Sequence, residues 1–296
     1  FPYTTLFRSI LGAYVLSMIR GEHQSKGGSS PIIRFILGFF VMIGALMFLG
    51  CPIRMILRLG GGDLNALFGI AGFAGGIGFG TIFLKKGYSL QRTYALSKLE
   101  SAMMPAIQVG LLVLVVTAPA FIFFSQKGPG AMHAPWLISL AAGLVVGGLS
   151  QFSRLCTVGG FRDLFLFKKS ILIFGYLAVL IGVFVVNISF GNFHLGFENQ
   201  PIAHTDGLWN FLGMALAGFC SVLLGGCPLR QLIMTGEGNS DSAVTVLGLA
   251  AGAAFAHNFG LAATGAGPTL NGEIAVGVGF VVALIIAILN TKRVNA

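Results

Sequence analysis

The stretch LGCPIRMILRLGGGD, residues 49–63, closes an apolar run at 31–50 whose only charged residue is Arg34. It puts a cysteine, a proline and two arginines where a membrane span should end, then adds three glycines. A second stretch, GGCPLRQLIMTGEGN at 225–239, repeats the arrangement. Cys227 follows Cys51 by 176 positions, and at that shift Gly50 aligns with Gly226, Pro52 with Pro228 and Arg54 with Arg230. Gly60, Gly62, Gly72 and Gly76 align with Gly236, Gly238, Gly248 and Gly252. A chain with 44 glycines gives some glycine matches by chance, but not G-C-P-[IL]-R as well, so the chain contains an internal repeat.

Composition sets the surroundings of the repeat. Hydrophobic residues make up 55% of the 296, and charged residues only 9%, against roughly 25% in a soluble domain. Met103–Gln126 and Ser170–Phe197 carry no charge at all. Runs of this length and composition read as transmembrane helices. There are nine apolar segments, near 10–20, 31–50, 64–84, 103–125, 135–155, 170–190, 208–226, 242–260 and 273–290, and Pro31, Pro105 and Pro135 fall near span starts. The net charge of +9 does not point to nucleic acid, because the basic residues sit in short loops between spans. Alternating those loops leaves only Arg8, Arg54, Arg58 and Lys127 of the 18 basic residues on one face. The other face, with the C-terminus, is therefore expected to be cytoplasmic in a bacterial-type inner membrane. The four cysteines lie in or beside apolar spans, unlike a secreted disulfide framework.

The two motifs are five spans apart, an odd number, so they enter from opposite faces. The expected fold is an all-α polytopic membrane protein built as an inverted-topology repeat with short re-entrant half-helices, as in many transporters. The boundaries expected are 10–134 for the first repeat and 135–296 for the second. Residues 1–9, FPYTTLFRS, look foreign to the rest of the chain and read as a non-native N-terminus. A third cysteine motif, SRLCTVGGFRD at 153–163, precedes Cys227 by 71 positions. Its counterpart before Cys51 would fall upstream of residue 1, so the intact chain is expected to hold that motif and five plus five spans.

Proline after cysteine suits the first turn of a helix, where the missing N–H has no partner anyway. Pro52–Leu59 and Pro228–Thr235 thus read as half-helices rising about 12 Å, too short for a core of about 30 Å. Broken helices are tolerated at membrane depth where they line a cavity or are buried in protein. Cys51 and Cys227 fall at the N-caps, where free N–H groups and the helix dipole favour an anion. Arg54 and Arg230 add fixed charge, which is costly in a membrane unless it faces a cavity or a partner. Asp63 and Glu237 are the nearby carboxylates available to pair with them. Sulphur is soft and polarizable, so the motif suits a small anion with a soft chalcogen atom. The residues leave open whether a neutral thiol donates a weak S–H bond or a transient adduct forms.

These segments resemble the YeeE/YedE family of sulphur-compound transport proteins, with the closest likeness to its YedE-type selenium transporters. The likeness is carried by FLGCPIRMILRLGGGDLNALFGIAGF at 48–73, RLCTVGGFRD at 154–163, GGCPLRQLIMTGEGNSDSAVTVLG at 225–248 and AAFAHNFG at 253–260. It implies a multi-pass inner-membrane transporter with functional cysteines along the path, here Cys51, Cys156 and Cys227.

The substrate path expected from the residues and the resemblance together comprises Cys51, Cys156, Cys227, Arg54, Arg230, Arg162, Gly50, Gly226, Pro52 and Pro228. The expected partners are a small selenium or sulphur anion, the lipid bilayer and a cytoplasmic sulphur or selenium carrier protein. No cofactor, metal or enzymatic activity is expected. Two alternatives stand beside this reading: thiosulfate uptake, and a membrane enzyme passing sulphur or selenium through a cysteine persulfide. The plain readings are small residues packing at helix ends for the three cysteines, a structural Cys220 within a span, a local Arg162–Asp163 pair and a packing role for His257.

Overall fold

A computed structural model of the chain describes residues 2–117, 134–169 and 171–291. Lys127, Lys292, Arg293 and the end of the 103–125 segment lie outside these. The described helices are α1 (Pro2–Ile19), α2 (Pro31–Met47), α3 (Pro52–Gly60), α4 (Asn65–Lys85), α5 (Lys98–Thr117), α6 (Trp136–Ser153), α7 (Thr157–Phe167), α8 (Ile171–Ser189), α9 (Gly207–Leu224), α10 (Pro228–Gly236), α11 (Ser240–Asn258) and α12 (Leu270–Leu289). Two-residue strands β1 (Lys26–Gly27) and β2 (Tyr94–Ala95) pair antiparallel. The molecule is an all-α polytopic membrane protein.

All nine expected segments are helical over most of their described residues. By length and composition, seven stretches among the described residues are apolar enough to cross a membrane. The segments at 10–20 and 242–260 are not among them: the fully described part of α1, Phe7–Ile19, covers fewer than 18 residues, and α11 is diluted by Ser240, Asp241, Ser242, Thr245, His257 and Asn258. Pro105 does not start its span but lies inside α5. The helix begins seven residues earlier, where the Ser97 hydroxyl accepts the Glu100 N–H.

Three of the seven stretches, Pro31–Gly60, Trp136–Phe167 and Gly207–Gly236, are helix pairs broken immediately before a cysteine. Each break turns through a residue at positive φ two positions before that cysteine: Leu49 at 63°, Arg154 at 54° and Gly225 at 82°. The short helices α3 and α10 have nine residues each. Both exit through a glycine at matching φ, Gly62 at 99° and Gly238 at 98°.

The chain forms two compact units. The first comprises Phe1–Ser29, Arg92–Leu155 and Leu229–Val244, and the second Ser30–Gln91, Cys156–Pro228 and Thr245–Ala296. In the first, α1 packs along α6, where Gly12 lies against the Leu144 carbonyl and Gly147 against that of Ser9. In the second, α9 is central and almost wholly buried from Gly213 onward. Gly72 and Gly76 of α4 sit on the Phe211 and Ala215 carbonyls of α9, and Gly248 and Gly252 of α11 sit on those of Phe35 and Phe39 of α2. Both contacts are the same contact at the 176-residue shift. A small-xxx-small groove lets backbones touch where no side chain fits. Helix α8 is the opposite case: its only buried residue is Tyr176.

Candidate functional site

The second unit brings Cys51, Cys156 and Cys227 together. Cys51 is the N-cap of α3, with extended backbone and Pro52 at the first helical position. Cys156 is the N-cap of α7, and its Sγ accepts the Gly159 N–H at 3.2 Å. Cys227 directly precedes Pro228. The Cys156 thiol is in hydrogen-bonding contact with the side chain and backbone of Cys227. Cys51 and Cys227 interact electrostatically, and the Tyr176 phenol interacts with both. None of the three is in a disulfide and all are buried, Cys227 the deepest at 1% exposure. Among the described residues no three His, Cys, Asp or Glu side chains are placed to hold one metal ion, so the sulphurs adjoin without forming a chelate.

Polar groups near these thiols lack partners. The Thr157 and Tyr176 hydroxyls and the Arg54 Nε are buried with no hydrogen bond among the described residues. Buried polar groups usually find a partner, and these three donors, on α3, α7 and α8, have none among the described residues. The wall beside them is aromatic: the Tyr176 ring meets Phe161 edge-on, and Phe161 meets Phe73 in the same way. Gly50 has its place because the Arg54 side chain lies over it, with Cδ only 2.8 Å from where a Cβ would stand. Gly226 is buried in the turn that leads to Cys227, its N–H bound to the Ser221 carbonyl at 3.1 Å.

The arginines separate into different situations. Arg54 has no ion pair among the described residues. The carboxylate available to it by sequence, Asp63, belongs instead to Arg58 at 2.6 Å, with side-chain exposures of 3% and 5%. Arg58 also donates to the Phe48 carbonyl at 2.6 Å and stacks over the Phe48 ring at 4.0 Å. Asp63 in turn accepts from the backbone and side chain of Asn65. Arg162 pairs with its neighbour Asp163 at 2.8 Å. Arg230 belongs to the first unit, where both terminal nitrogens hold Glu237. Arg154 bridges Glu237 and Glu22 there. The Gln151 amide, then Arg154 and Arg20, hold the Glu22 carboxyl below the usual range.

Sequence reading missed Tyr176, Thr157 and the Arg58–Asp63 pair. The available signal was the failure of the repeat: Arg58 aligns with Met234 and Asp63 with Asn239. Cys220 is fully buried in α9. His257, expected to pack, is exposed, and among the described histidines the buried one is His204, whose Nε2 lies 2.8 Å from the Met47 carbonyl. Burial pushes the His204 imidazole below its ordinary value.

Comparison with known families matches residues 152–291, a little under half of the chain, to the family described as Sulphur transport. No curated protein matches the chain. The matched residues include Cys156, Cys220 and Cys227. Cys51 lies before them and is tied to them by the repeat and by its interaction with Cys227.

Proposed function

We propose that this chain, a polytopic membrane protein whose residues 152–291 match the family described as Sulphur transport, moves a small sulphur- or selenium-containing anion past Cys51, Cys156 and Cys227. The observation that carries the reading is the meeting of three thiols, each at the start of a helix that follows a break in an apolar stretch. A thiol in such a place is a soft, uncharged donor, so it can release an anion as readily as it holds one. Free N–H groups at the helix starts favour negative charge, and Arg54 supplies a cation not committed to a carboxylate. Pro52 and Pro228 start the half-helices, Gly50 makes room for the Arg54 side chain, and Gly226 lies in the turn before Cys227. Arg162 and Arg230, each already holding a carboxylate, are secondary charges on this reading. Transport runs across a bacterial-type inner membrane, with the basic loops inside, and delivers to a cytoplasmic carrier protein.

The idle Thr157, Tyr176 and Arg54 donors favour a species that carries oxygen as well as sulphur or selenium. That makes thiosulfate or selenite better suited than hydrogen selenide. Uptake of each labelled species by vesicles containing the protein tests the proposal. Cys227→Ser is expected to reduce uptake at least tenfold while folded protein remains, and normal uptake by that variant would refute the thiol path. If no species enters and mass spectrometry finds a persulfide on Cys51 or Cys227, the protein is a sulphur-transfer enzyme instead.

A further inference from the structure

The first unit contains a cavity of about 320 Å³ that uses none of the cysteines. Its charged lining is Lys26, Arg154 and Arg230 against Glu22 and Glu237, with Asn239 beside them. The carboxylates are saturated. Glu22 takes Arg154 at 2.7 Å, Gln151 at 2.6 Å and Arg20 at 3.0 Å. Glu237 takes Arg154 at 2.9 Å and Arg230 through two bonds of 3.1 and 3.0 Å. The cations are not saturated: the half-buried Lys26 ammonium has no carboxylate partner among the described residues. The lining therefore holds one positive charge in excess and several unused N–H donors.

The cavity wall is built by backbone. The Gln24 N–H donates to the Glu237 carbonyl at 2.9 Å, and the Lys26 N–H to that of Gly238 at 3.2 Å. Gly238, at φ 98°, would drive a Cβ to 2.7 Å from the Gln24 carbonyl oxygen, so only glycine closes this seam. The repeat shows why the place is open. In the first copy, the counterparts of Met234 and Asn239 are Arg58 and Asp63, a closed pair buried within the second unit. The second copy has Met234 and Asn239 there instead, and the charges around the cavity are those of Lys26, Arg154, Arg230, Glu22 and Glu237.

We infer that this cavity is a binding site for a small oxyanion group, separate from the thiol cluster. Its donors are hard nitrogens in forked and point-charge geometry, the arrangement that recognises sulfate- or phosphate-like oxygens. A monoanion meets the single excess charge. A dianion draws Arg154, the most exposed member with its side chain 49% accessible, away from one of its two carboxylates. The same chemistry is offered by a free anion and by an anionic lipid headgroup.

The test is binding of labelled sulfate to the full chain in phosphatidylcholine nanodiscs. Sulfate has no soft atom for the thiols, and saturable binding should survive Cys227→Ser, so the two proposals fail independently. Lys26→Gln is expected to weaken binding about tenfold, the worth of one charged hydrogen bond, and Lys26→Arg to restore it. Glu237→Gln, which removes one negative charge and leaves Arg230 without a carboxylate while Arg154 keeps Glu22, is expected to strengthen it several-fold. Absence of saturable binding, or binding indifferent to Lys26→Gln, overturns the inference. In phosphatidylglycerol nanodiscs, loss of sulfate binding identifies the headgroup as the natural occupant, and unchanged binding identifies a free anion.

Discussion

Replacing Asp63 by asparagine leaves the Arg58 guanidinium buried without a counter-charge. Both side chains are almost fully enclosed, at 5% and 3% exposure, and their nitrogen and oxygen lie 2.6 Å apart. Removing one member of such a pair costs about 3–5 kcal/mol, because the survivor cannot recover its hydration. The second copy of the repeat supplies the compensation, since the residues at these two positions there are Met234 and Asn239. Arg58→Met with Asp63→Asn removes both charges, and the asparagine keeps an amide oxygen for Asn65. What remains lost is the Arg58 bond to the Phe48 carbonyl, about 1 kcal/mol, and the stacking on the Phe48 ring, about 1 kcal/mol. The single variant should therefore sit about 3–5 kcal/mol below the parent, and the double variant within about 2 kcal/mol of it. At a few degrees per kcal/mol, thermal unfolding in detergent should drop by roughly ten degrees for Asp63→Asn and by about half that or less for the double variant. A double variant as unstable as the single one, or an Asp63→Asn variant as stable as the parent, would refute the buried-pair account.

Gly72→Ala puts a methyl group onto the Phe211 carbonyl and should cost about 2 kcal/mol or more by forcing α4 from α9; Gly110→Ala, where open space is available, should not lower the melting temperature. His204 is held below its ordinary value chiefly by burial, with Arg58 adding to the shift and Met47, Asp206 and Asp63 opposing it. A lowered histidine pKa means the unfolded chain binds the proton first, so stability should fall as pH drops below about 6.5 and level off under the folded value. His204→Gln should flatten that part of a melting-temperature profile, and an unchanged slope would rule His204 out. Leu49 sits at φ 63°, so Leu49→Val, though closer in size, should destabilise more than Leu49→Gly in the same melting assay, because β-branched residues are least tolerated there.

The helices were legible because apolar runs of this length have one outcome in lipid. The half-helices were legible because Pro52 and Pro228 start what Gly62 and Gly238 end. The repeat made the cysteines stand out, but not how their neighbours divide. Arg54 and Arg58 are one turn apart on a nine-residue helix, and sequence gives no way to tell which of them reaches Asp63. The structure resolves this through Phe48, whose ring and carbonyl both receive Arg58. Tyr176 was hidden for another reason: α8 is apolar all round, and no periodicity marks the one face that turns inward. Lys26 lies in a short loop whose charge reads as an orientation signal, and its place at a cavity emerges only when the loop is stitched to Gly238.

The three thiols are positioned by main chain more than by side-chain choice. Cysteine has one side-chain torsion, so a sulphur at an N-cap goes where the backbone puts it. At each of the three breaks the residue two places earlier is at positive φ, although only Gly225 is of the type that favours it. Holding leucine and arginine in that region costs of order 1 kcal/mol each, a cost that packing of two independent helices would not require. What the turn achieves is to swing the next helix start, with its cysteine and its free N–H groups, to the place where the Cys156 thiol meets Cys227 and Tyr176 interacts with Cys51 and Cys227. A catalytic nucleophile needs one such start. Three of them brought together on the same local geometry are what the proposed transport requires, a ligand that passes from sulphur to sulphur.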